Sequence, residues 1–246
     1  MVGTCKYCGE QEELCKAHII PRCFYDRSIK YASIFTDGGK PDLIRSQDGP
    51  KDTSILCKKC DPQFGPYDDY GKTLLLDIVP KHRKGTTQAF IVEPPEFCYS
   101  KWRKFIISLV WRASISKITK EVFLGEKYEQ IALEILKGER PDEAGLFIPV
   151  IFKKTTDNAF INYSGITQKK ILGQKGILLD MNAYQIYVIT NARPIQDSSL
   201  KILIENEGLS LFVMEHSPDD KIQDMLIKAL IAQGVLKVVK KQSQKT

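Results

Sequence analysis

Cys5-Lys6-Tyr7-Cys8-Gly9, close to the start of the chain, is answered by Cys57-Lys58-Lys59-Cys60. Two Cys-x2-Cys pairs held apart in sequence are the spacing of a tetrahedral zinc shell of four thiolates. Gly9 follows the first pair, and a residue without a side chain lets the backbone wrap tightly around an ion. Such a shell is closed, with no coordination position left for a reactant, so its expected role is structural. A redox Cys-x2-Cys would be expected beside a βαβ pattern, and this sequence has none there. Residues 9–56 lie between the pairs, a longer insert than a usual zinc ribbon carries. That insert holds a single histidine, His18, in the run Ala17-His18-Ile19-Ile20-Pro21-Arg22.

Around this segment the composition is that of a globular domain protein: 246 residues, 43% hydrophobic and 27% charged. No apolar run approaches the roughly eighteen residues that span a bilayer, so no membrane partner is expected. Met1 to Lys6 lacks the charged and then apolar layout of a signal peptide. The expected compartment is the cytoplasm, where thiols stay reduced and seven cysteines suit metal binding better than disulfides. Cys15, Cys23 and Cys98 fall outside the paired spacing and are expected to pack as small apolar side chains. The net charge of +6 lies wholly in the second part of the chain, because residues 1–100 carry 14 basic and 14 acidic side chains. No acid follows Asp224, whereas Lys228, Lys237, Lys240, Lys241 and Lys245 do. A basic end of this kind is compatible with a phosphate backbone, though taken alone it reads first as a solvated helix face with a frayed tail.

Residues 1–80 read as one module, whose irregular residues 1–70 have too few periodic apolar positions for a core of their own, so a metal is expected to supply the missing stability. Within them Tyr67–Ile78 reads as a helix that Pro80 ends. Residues 81–99, with Gly85, Pro94 and Pro95, read as a connector. Residues 100–246 then read as an α+β domain. Trp102, Phe105, Ile106, Leu109 and Val110 form the apolar stripe of a helix running to about Ile118. A second helix is expected over Glu126–Lys137, stopping at Gly138. The period then changes: 146–153, 159–163, 177–190 and 200–214 are rich in β-branched and aromatic residues and predict an antiparallel sheet. Turn signals separate them at Asp157-Asn158 and Glu207-Gly208. Ser217, followed by Asp219 and Asp220, opens a last amphipathic helix to about Lys240.

The order Cys-x2-Cys, a short gap, a histidine in His18-Ile19-Ile20-Pro21-Arg22, then Cys-x2-Cys followed by a polar residue and a helix, resembles the HNH endonucleases. The resemblance covers about residues 5–72. The run Ser108-Leu109-Val110-Trp111-Arg112-Ala113-Ser114 is also similar to one found in bacterial HNH proteins, with no mechanistic content. The resemblance implies a zinc-stapled ββα-metal, treble-clef-like module with Cys5, Cys8, Cys57 and Cys60 on structural zinc. His18 would be the general base on a water. Asp61, in the place usual for Asn, would hold a catalytic Mg²⁺ or Mn²⁺, with Asp68 or Asp69 further along the same helix. The substrate would be nucleic acid, with DNA favoured, in bacterial defence or mobile-element biology.

The residue chemistry agrees with these roles. A near-neutral imidazole is a suitable base at cellular pH, carboxylates are hard ligands for Mg²⁺, and Arg22 could hold a phosphate in its fork. The pattern also departs from the family: Ala17 stands where an acid is common, and no asparagine precedes Asn158. Asp37, Asp42, Asp48 or Asp52 could replace the middle Asn. A second reading is therefore a non-catalytic zinc module that binds nucleic acid or a protein partner. Residues 100–246 are open to DNA, a partner subunit or a second copy of the chain, and His216 before the last helix carries no assigned role.

Overall fold

A computed structural model describes residues 1–25, 31–37, 40–46, 48–82, 89–142, 145–154, 163–171, 174–181, 183–190 and 211–216. The chain is α+β. The turns at Asp157-Asn158 and Glu207-Gly208, the final helix and the basic tail lie outside the described residues. Among the described residues no helix is long and apolar enough to cross a membrane.

β1 (Val2–Thr4) and β2 (Gln11–Glu13) form an antiparallel hairpin whose turn carries Cys5 and Cys8. β3 is the two-residue strand Ala17–His18, followed by a 3-10 turn at Arg22–Phe24. β4 (Tyr31–Asp37) and β5 (Lys40–Ser46) make a second hairpin. β6 (Lys51–Asp52) then returns antiparallel to β3, setting Ala17 opposite Asp52 and His18 opposite Lys51. After Cys60 the backbone stays helical to His82: a 3-10 segment Asp61–Phe64, α1 (Gly65–Lys72), a π-helical stretch Thr73–Ile78 and a closing 3-10 turn Val79–His82. The helix expected over Tyr67–Ile78 is thus the middle of a longer run. Pro62 and Pro66 are tolerated in it because each stands at the start of its segment, where the missing N–H has no helical partner to lose. Pro80 falls in the closing turn rather than after it.

β7 (Ala89–Val92), α2 (Tyr99–Ile115) and α3 (Glu126–Lys137) follow. α3 has the predicted bounds. Gly138 ends it with φ 77°, a left-handed cap that glycine adopts without strain, and its N–H donates to the Ile135 carbonyl at 3.1 Å. β8 (Ile148–Lys154), β9 (Tyr163–Ile171), β10 (Gln174–Met181), β11 (Tyr184–Ile189) and β12 (Leu211–His216) are the remaining elements among the described residues. The apolar stretch 177–190 is two strands, since β10 and β11 fold back on each other from Met181 opposite Tyr184.

The large sheet has the order β5-β4-β9-β10-β11-β8-β12-β7. Two findings differ from the sequence expectation. The sheet is mixed, with β4 parallel to β9 and β12 parallel to β8. It also takes strands from outside residues 100–246: the hairpin of residues 31–46 extends one edge and β7, from the expected connector, forms the other. Neither pairing has a local signal, because a strand's partner is chosen by register and burial far along the chain.

α2 is the axis of the core. The predicted stripe of Trp102, Phe105, Ile106, Leu109 and Val110 is buried, and so are Trp111, Arg103 and Arg112. Gly71 of α1 lets the two helices approach closely: a Cβ there would lie 2.5 Å from the Phe105 ring. Trp111 stacks on Phe64 at 5.9 Å, and Tyr7 meets Phe64 edge-on at 5.3 Å. These rings seat the cysteine-bearing turn against α2. Tyr184 of β11 donates a hydrogen bond to the Leu75 carbonyl, tying the sheet to the helical run.

Candidate metal centre and histidine site

The first cysteine turn is closed by the Gly9 N–H donating to the Cys5 carbonyl at 2.9 Å, with Gly9 at φ 82°. Lys6 N–H donates to Ile55 O at 2.8 Å, and Cys15 N–H to Leu56 O at 3.0 Å, so the strand entering the second pair is stitched beside the first. The N–H groups of Cys60 and Asp61 both donate to Cys57 O. The result brings Cys5, Cys8, Cys57 and Cys60 together, their sulfurs all within 4.8 Å of one another. A tetrahedral zinc–sulfur shell with bonds of about 2.3 Å needs sulfurs about 3.8 Å apart, so this donor set fits such an ion. Cys5, Cys57 and Cys60 are buried and Cys8 is exposed.

The electrostatics match the geometry. Burial raises the Cys5 thiol, but N–H groups of Cys8, Cys57 and Tyr7 aimed at its sulfur outweigh burial and bring it to about 7. Burial and the crowding of neighbouring thiols push Cys60 up. Four thiols packed this closely disfavour their own ionisation unless a cation joins them. Cys15 and Cys23 lie outside the cluster; burial pushes each to about 11. Both pack against the core as expected, whereas Cys98, just before α2, is partly exposed and lies outside that packing.

His18 stands at the end of β3, beside this centre, with its side chain 26% exposed. Its Nε2 is buried, has no hydrogen-bond partner and lies 3.9 Å from Asp48 Oδ2. Burial lowers the imidazole pKa, Lys51 lowers it further, Asp48 opposes, and Arg112 and Arg22 add to the lowering. The ring is therefore neutral at cellular pH. Gly49, at φ 87°, turns the loop that brings Asp48 here, and a side chain at Gly49 would collide with the Tyr25 ring. Of the four aspartates weighed for the missing Asn, Asp48 is the neighbour of His18. Asp52 is buried and spent on structure, accepting from Ser54 N–H, Ser54 Oγ, Ser116 Oγ and Lys117 N–H at 2.7–2.8 Å. The side chains of Asp37 and Asp42 lie outside the described set.

Arg112 of α2 connects the parts, and sequence reasoning missed it. Its Nη1 donates to the His18 carbonyl at 3.0 Å, and its two Nη atoms donate to both carboxylate oxygens of Asp68 at 3.1 and 2.7 Å. Its guanidinium lies over the Phe64 ring at 5.3 Å. One buried cation thus ties the strand of His18 to the helix of Asp68. The available signal was position: Arg112 lies three residues from Leu109 and seven from Phe105, on the apolar face of its helix, where a charge is buried and must be paired. Asp61 opens the helical run directly after Cys60 and is half-buried; burial raises its pKa, Arg112 opposes, and the Asp68 carboxylate adds to the rise. Arg22 is exposed on the turn after β3.

Among the described residues the four cysteines are the one group of three or more Cys, His, Asp or Glu whose ligand atoms lie within 4.8 Å of one another. His18, Asp61 and Asp68 surround Arg112 without forming a second such group. No family model, curated protein or solved structure matches the chain.

Proposed function

We propose that this chain is an HNH-type endonuclease that hydrolyses phosphodiester bonds of DNA. The module would be zinc-stapled, ββα-metal and treble-clef-like, with Cys5, Cys8, Cys57 and Cys60 on structural Zn²⁺. The observation that carries the reading is His18: a neutral imidazole with an unpartnered Nε2, on a strand whose carbonyl is tied through Arg112 to the helix that follows the second cysteine pair. That unpartnered nitrogen would take the proton of a water as its oxygen attacks phosphorus and the ester oxygen leaves. Arg22 would hold a non-bridging phosphate oxygen. Asp61 and Asp68 would hold Mg²⁺ or Mn²⁺, which supplies Lewis-acid stabilisation of the leaving oxygen when bound. The fit is chemical: burial and the Asp68 carboxylate raise Asp61 against the opposing Arg112, a hard cation would relieve that charge, and Asp68, held by Arg112, would bind it through its remaining lone pairs. Mg²⁺ often takes only one or two carboxylates and completes its shell with water and phosphate. A cytoplasmic setting in bacterial defence or mobile-element biology rests on the resemblance alone.

A second reading, a non-catalytic zinc module binding nucleic acid or a protein partner, is favoured by one observation: His18 Nε2 is covered and faces Asp48 rather than solvent. Purified protein and His18→Ala, each incubated with supercoiled plasmid and Mg²⁺ or Mn²⁺, separate the two. Nicking by the unaltered chain alone supports the nuclease. Equal background from both removes His18 from catalysis and leaves the binding module.

A further inference from the structure

Away from His18, lysines and tyrosines alternate along one strip of surface. Lys137 Nζ lies 5.8 Å from the centre of the Tyr7 ring. Tyr7 in turn meets Phe64 edge-on at 5.3 Å, and Phe64 lies three residues before Tyr67 in the helical run. Lys104 Nζ lies 5.6 Å from the Tyr67 ring centre, and Lys101 Nζ lies 5.9 Å from that of Tyr70. Tyr67 and Tyr70 are three residues apart on α1, as are Lys101 and Lys104 on α2, so each pair shares a helix face. The strip Lys137-Tyr7-Tyr67-Lys104-Lys101-Tyr70 therefore joins the cysteine turn to three helices.

The pairing of these lysines differs from that of Lys51, Lys58 and Lys59. Lys51 is matched by Asp48 at 2.5 Å, Lys58 by Glu13 at 2.6 Å and Lys59 by Glu12 at 2.5 Å. Lys137 has only Glu139, at 3.9 Å. Among the described residues no carboxylate lies within ion-pair distance of Lys101 or Lys104, whose ammonium groups rest over aromatic rings instead. A ring face holds an ammonium in place without neutralising it. Lys101 and Lys104 are thus positioned cations without a carboxylate partner, and Lys137 is only loosely matched, a charge pattern that complements a row of phosphates.

We propose that this strip binds the phosphodiester backbone of DNA. The inference rests on the nucleic-acid reading given above and adds where the strand lies. The strip also leads to the histidine site. Lys104 and Arg112 are eight residues apart on one helix, about 12 Å along its axis, and Tyr67 immediately precedes Asp68, which Arg112 holds. That separation is about three to four nucleotides of one strand at roughly 3.4 Å each.

Fluorescence anisotropy of the full chain with a labelled DNA duplex of arbitrary sequence, over a salt series, tests the proposal. The buffer contains neither Mg²⁺ nor Mn²⁺, so that no strand is cut, and no chelator, so that bound zinc stays. Lys101→Gln with Lys104→Gln should lower the slope of log affinity against log salt by about 2 and weaken low-salt binding several-fold. Lys58→Gln with Lys59→Gln removes the same charge from acid-matched lysines and should leave the slope in place. His18→Ala should bind as the unaltered chain does. Equal losses in the two double variants would mean diffuse charge and would overturn the strip. An unchanged slope in Lys101→Gln/Lys104→Gln while plasmid nicking persists would overturn the strip alone. A lost slope in that variant, in a protein that never nicks plasmid, would keep the strip and remove only the hydrolytic reading.

Discussion

His18 sits among three cations, Lys51, Arg112 and Arg22, and burial acts in the same direction as they do. Its folded-state pKa therefore lies below the ordinary value near 6.5. As pH falls, the unfolded chain binds the proton first, so the stability linked to His18 is fully present above about 6.5 and is lost as pH falls from there through the folded value. His18→Asn should flatten that part of a urea-midpoint profile, and the ring resonance in a proton NMR titration should show a midpoint below 6.5. A midpoint at or above 6.5 would remove the argument for a neutral base. Arg112 carries a different expectation. Arg112→Met leaves Asp68 half-buried without its partner and the His18 carbonyl without a donor, which should cost about 3–5 kcal/mol in denaturant unfolding. Adding Asp68→Leu should recover part of that loss, because no unpaired charge is then left. A cost for Arg112→Met below about 1 kcal/mol would mean that the pair is not structural. Asp61, His18 and the cysteines were readable as single letters of chemical type. Arg112 was not, because its role depends on what lies across from its helix.

At the scale of elements, the small strands around the cysteines bury little by themselves. β1 and β2 have three residues each, and β3 and β6 have two. Such short pairings hold only when something else fixes their ends. The sulfur cluster is suited to do this, since it joins the turn of one hairpin to the start of the helical run. Cys57→Ser should lose its zinc by elemental analysis and most of its near-ultraviolet circular dichroism, whereas Cys15→Ser should keep both. Equal zinc in the two variants would show that the ion is held elsewhere. Helix elements were legible because their signals are local: α3 is bounded by a glycine that caps it and filled by an i, i+3, i+4 pattern. The boundary between β10 and β11 was not, because Met181-Asn182-Ala183-Tyr184 lacks the usual Asn-Gly or Asp-Gly turn pair.

For the molecule as a whole, both tryptophans lie on α2, buried between the cysteine-bearing turn, α1 and the rest of the core. One hydrophobic cluster includes Cys5, Phe64, Trp111, Ile135 and Ile186, residues drawn from both sides of the expected connector. Tryptophan fluorescence and far-ultraviolet circular dichroism should therefore report coincident denaturant transitions with zinc bound. Two separated transitions would mean that residues 1–80 and 100–246 unfold as independent units. The sequence by itself determined which four sulfurs come together and, in outline, the helices α2 and α3, because spacing, capping and side-chain class act over a few residues. Only the tertiary structure decided that the sheet is mixed and recruits residues 31–46 and 89–92, that Asp48 faces His18 while Asp52 is buried elsewhere, and that Arg112 links the histidine strand to Asp68. Those outcomes turn on burial and pairing between segments far apart in the chain, where the desolvation of a charge or the register of a strand is set by the partner it meets.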